Sequence, residues 1–117
     1  MTNSKEIEEI LFLYKKNGWI LNRVLMSDEL RESLSDKELE NIFGDTEISD
    51  AEFDAVWWTR ASQHKNSNAW ELRHLSKPPY ALFELVDKNA ELDVLQQVQN
   101  QLENRMRIYA SNKGNKK

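Results

Sequence analysis

Two histidines, a loose run of acids and a pair of adjacent tryptophans are the residues here whose types could do chemistry. His64 and His74 stand ten residues apart, and neither has ligand-like spacing to the other or to a carboxylate pair. Asp45, Glu47 and Asp50 resemble the start of a calcium loop but lack its central glycine and terminal glutamate. No metal or other cofactor is therefore expected. With no cysteine in the chain, thiolate zinc sites, disulfides and cysteine nucleophiles are excluded. Gly18, Gly44 and Gly114 are the only glycines and none is near another, which excludes a phosphate-binding glycine loop.

Acid–base catalysis has one candidate, His74, flanked by Glu71 and Arg73. Strand alternation places His74 with Trp70 and Leu72 and turns Glu71 and Arg73 to the opposite face, which favours a structural histidine. A pocket lined by Trp70, His74 and Tyr80, serving a small enzyme or a ligand-binding domain, is the alternative reading. The balance is against an enzyme. Nucleic-acid binding would use basic residues interleaved with exposed aromatics, and Trp57, Trp58, Arg60, Lys65 and Arg73 form only a weak version of that pattern. An acidic first half opposes it.

The adjacent tryptophans must point to opposite faces if they lie in a strand. On a sheet covered by helices on one side, Trp57 would join the core and Trp58 would sit outside beside Arg60. An exposed tryptophan next to an arginine has the composition of an interface hot spot.

Charge supplies a second candidate surface. Residues 1–58 carry six Lys/Arg and fourteen Asp/Glu, whereas residues 59–117 carry ten and six. Eleven of the acids lie between Asp28 and Asp54. Such a segment is either a solvated face or a docking surface for a basic protein, with Asp45, Glu47, Asp50 and Asp54 among its contacts. The reading favoured is a small, non-catalytic protein-binding module, of adaptor or inhibitor type. It would be cytoplasmic, and a monomer or weak homo-oligomer, since no apolar run approaches the ~20 residues of a membrane span and Met1 to Ser4 lead straight into an amphipathic helix.

The elements that must position these residues are partly legible. Glu52 to Ala61, Ala69 to Leu75 and Tyr80 to Val86 alternate with period two, separated by the polar run Ser62 to Asn68 and by Ser76-Lys77-Pro78-Pro79. They predict an antiparallel meander. Trp19 to Met26 suits a fourth, bordering strand or a buried helix. Helices are expected from about Lys5 to Lys16, from Ser27 to Ser33, from Ser35 to Phe43, and from Lys88 to Tyr109 with Asp87 as cap. Asp45 to Asp50 is expected as an acidic loop. The predicted fold is α+β: one domain over residues 1–110, a three- or four-stranded antiparallel sheet with the N- and C-terminal helices packed on one face, and a disordered basic tail over 111–117.

Overall fold

The computed structural model describes residues 3–63, 66–76 and 79–115. Each helix start is written in the local sequence. In α1 (Ser4–Lys16), the Asn3 side chain accepts from the Glu6 amide at 2.9 Å while the Glu6 carboxylate accepts from the Asn3 amide at 3.1 Å. Gly18, at φ +89°, releases the chain after the last turn. Ser27 caps α2 (Asp28–Ser33), and Ser35 with Glu38 forms a second capping box for α3 (Asp36–Phe43). The Ser35 amide holds the Glu38 carboxyl below its ordinary value.

The strands are β1 (Ile20–Met26), β2 (Ile48–Asp50), β3 (Ala55–Ala61), β4 (Ser67–His74) and β5 (Ala81–Asp87), and α4 (Leu92–Asn115) closes the chain. Sheet order is β2-β1-β3-β4-β5. Strands β3, β4 and β5 form the expected antiparallel meander, and β1 borders it antiparallel to β3. The loop expected over Asp45 to Asp50 instead contains β2, which runs parallel to β1 after a crossover through α2 and α3. The fold is thus α+β with a five-stranded mixed sheet, not a pure meander.

The ambiguity of Trp19 to Met26 has a physical origin. A bulge between Leu21 and Arg23 inserts one residue against β3. The insertion reverses the alternation, so Leu21 packs with the same core as Val24 and Met26, while Arg23 turns to the other face.

Both faces of the sheet are covered. On one, α1, α2 and α3 enclose Val24, Met26, Val56, Trp58 and Leu75. On the other, α4 lays Leu102 and Met106 over Leu25, Ala55, Trp57, Leu72 and Val86. The N- and C-terminal helices therefore pack on opposite faces, which corrects the one-face expectation. The reason lies in β3: a strand that is apolar at Val56 and Trp58 as well as at Ala55 and Trp57 must be covered twice. Burying each tryptophan removes ~150–250 Å² from water, worth about 4–6 kcal/mol at ~25 cal/mol per Å².

Two boundaries differ from expectation near the C-terminus. Asp87 ends β5, its carboxylate accepting from the Asn89 amide at 2.7 Å, and α4 starts only at Leu92. The helix then continues through residues 111–115, beyond the expected tail start; residues 116–117 lie outside the described residues. No helix is long and apolar enough to cross a membrane among the described residues.

Candidate binding pocket

A cleft of about 750 Å³ opens where α1, the start of α2 and the end of β4 meet. Helix α1 contributes Glu6, Glu9, Ile10 and Leu13, spaced so that one side of the helix faces the cleft. The turn into α2 contributes Ser27, Glu29 and Leu30, and Asp54 stands just before β3. Arg73, His74, Leu75, Ser76 and Pro79 close the far wall. The lining is more apolar than polar and includes four carboxylates and one guanidinium.

The groups in this cleft are held by short-range contacts. Asp54 accepts from the Ser27 amide at 2.7 Å and from its hydroxyl at 3.2 Å, tying the start of α2 to the start of β3. Arg73 is only 8 % exposed, and its Nη1 donates to the carbonyl oxygens of His74 and Ser76. Backbone dipoles thus compensate a buried cation for which no salt bridge is formed among the described residues. Behind it, the Tyr14 hydroxyl donates to the Glu71 carboxylate. Burial, and then that hydrogen bond and the charge of Glu71, raise the Tyr14 hydroxyl well above its ordinary value of 10.0, with Arg73 opposing in part. His74 Nδ1 lies 2.7 Å from Ser76 Oγ, and its ring meets Tyr109 edge-on at 5.5 Å.

The expected exposed Trp/Arg face is not formed. Trp58 is fully buried, stacked on Tyr14 at 4.7 Å with an interplanar angle of 16°. Arg60 is exposed, donates to the Asn17 carbonyl at 2.7 Å, and lies 4.4 Å over the ring of Trp19. The cation–aromatic pair therefore forms with the half-buried Trp19, because α1 covers the face that Trp58 occupies. A smaller hollow of about 290 Å³ lies beside that pair, between Tyr14 and Asn17.

The acidic candidates divide likewise. Asp54 lines the cleft. Asp50 pairs with Arg31 at 3.0 Å, and Asp45 and Glu47 are exposed ahead of the edge strand β2. Of the residues expected to line a pocket, Tyr80 and His74 both pack on Tyr109, stacked at 3.6 Å and edge-on at 5.5 Å, and Trp70 meets Trp57 edge-on at 6.2 Å. Only His74 reaches the cleft. His64 lies outside the described residues.

Sequence reasoning missed Glu6, Glu9, Glu29, Arg73 and Ser76 as a group. Glu6 and Glu9 read as the polar side of an amphipathic helix, and nothing local relates them to Arg73 and Ser76, more than sixty residues on. Among the described residues, no three His, Asp or Glu side chains converge as a metal site. No family model, curated protein or solved structure matches the chain.

Proposed function

We propose that the chain is a non-catalytic binding module that takes a cationic, partly apolar segment of a basic protein into the cleft between α1 and β4. The observation that supports it is the composition of that cleft: Glu6, Glu9, Glu29 and Asp54 outnumber Arg73 and share the lining with the apolar side chains of Ile10, Leu13, Leu30 and Leu75. A lysine or arginine stem would lie along the apolar side chains with its charged head among the carboxylates. The acidic segment from Asp28 to Asp54 would steer such a partner toward the cleft, since clustered charge raises the encounter rate.

The test is titration with a short peptide alternating lysine or arginine with leucine, followed by amide chemical shifts at low and high salt. Binding is expected to perturb α1 and the Ser27–Leu30 turn and to weaken with salt, because exposed pairs are screened within ~8 Å at physiological ionic strength. Glu9→Gln and Glu29→Gln should each weaken it about two- to five-fold, the worth of one exposed ion pair. Unchanged affinity in both variants would remove the cleft from the interaction.

A second reading, a hydrolytic enzyme, rests on the 2.7 Å contact between His74 Nδ1 and Ser76 Oγ inside the cleft. Turnover of an activated ester, lost in Ser76→Ala, would establish it. Equal background rates in the two proteins would leave the contact as a turn interaction.

A further inference from the structure

We infer that two copies of this chain associate through the outer edge of β5, joining their sheets into one. The hydrogen-bond register of the meander decides which groups are free. His74 donates to the Tyr80 carbonyl at 2.8 Å and Lys88 to the Asn66 carbonyl at 2.7 Å. In the β4–β5 register, Leu72 faces Leu82, Trp70 faces Glu84 and Asn68 faces Val86. Antiparallel alternation then turns the amides and carbonyls of Leu82, Glu84 and Val86 inward to β4, and those of Ala81, Phe83 and Leu85 outward. No further strand pairs with this edge among the described residues.

The side chains on those same three residues form a row on the face of β5 opposite α4, and Phe83 is 52 % exposed. The edge is long, and β5 contains no lysine, proline or bulge of the kind that blunts exposed edges. The opposite edge, β2, is only three residues long and is protected by its shortness. What could cover β5 is constrained by its sequence. A two-fold antiparallel pairing centred on Phe83 sets Phe83 against its own copy, Ala81 against Leu85, and Glu84 against Leu82. Both rows of outward backbone groups then find partners and no acid directly faces an acid. A register centred one residue on would put Glu84 directly opposite Glu84, which like-charge repulsion disfavours. The strand is thus complementary to itself in the register centred on Phe83. Closed two-fold pairing also ends the assembly at a dimer through this edge.

Sedimentation velocity over a concentration series up to ~1 mM, where millimolar affinities register, tests the inference. Amide exchange is read across the same series. A concentration-dependent dimer is expected, with the amides of Ala81, Phe83 and Leu85 gaining protection as it forms. Phe83→Lys should weaken it at least ~10-fold by setting two like charges across the axis. Phe83→Pro is the second variant. It removes an outward amide without touching the β4 ladder, and should also give a monomer. A monomer at every concentration overturns the inference, as does a dimer that both variants leave intact or one that leaves those three amides unprotected.

Discussion

Glu103 of α4 accepts a 2.8 Å hydrogen bond from Trp57 Nε1, whereas Trp58 Nε1, one residue along the same strand and equally buried, has no partner among the described groups. Glu103 also meets Arg23 at 3.2 Å, so one half-buried carboxylate anchors α4 to β1 and β3 together. The pair offers a controlled comparison. Trp57→Phe and Trp58→Phe delete the same atoms from two sealed environments, but only the first removes a hydrogen bond to a charged acceptor. The first is expected to cost more stability than the second by about 1.5–3 kcal/mol, read from denaturant midpoints. Equal losses would mean that the Trp57–Glu103 bond adds nothing net.

Tyr14 ties α1 to β4 through Glu71, and its hydroxyl is held well above its ordinary value. Tyr14→Phe leaves Glu71 without that donor and should destabilise the chain by about 1–3 kcal/mol. The pH dependence follows from the direction of the shift. The neutral phenol is favoured in the folded state, so this contribution is complete below the unfolded value of about 10 and fades as pH rises toward the folded one. The absorbance difference between wild type and Tyr14→Phe on alkaline titration should therefore appear well above pH ~10. A difference that develops at or below that value would contradict the shift.

Iodide should reach one tryptophan of the four. Trp57 and Trp58 are fully buried and Trp70 is 8 % exposed, leaving Trp19, half-buried under Arg60. The quenchable fraction of the fluorescence is expected to disappear in Trp19→Phe. Quenching that survives there and is lost in Trp58→Phe would restore an exposed Trp58, against the packing of α1.

The helix starts and the alternation of β3, β4 and β5 were readable because each depends on neighbours within a few residues. Asn3 finds Glu6, Ser35 finds Glu38, and period two follows from the geometry of an extended chain. The same locality explains the failures. The three residues of β2 are too few to show a period, and the bulge after Leu21 scrambles the pattern of β1. Which helix lies on which face of the sheet depends on chain crossings that no local pattern records. That choice buried Trp58 under Tyr14 and moved the arginine–aromatic contact to Trp19. It also gathered Glu6, Glu9, Glu29 and Asp54 from three separate segments into one cleft. The sequence by itself determined the starts of the first three helices, the three strands of the meander, the apolar residues on both sides of β3 and the acidic bias. Only the tertiary structure decided the site, because bringing distant side chains together depends on burying both faces of the sheet at once.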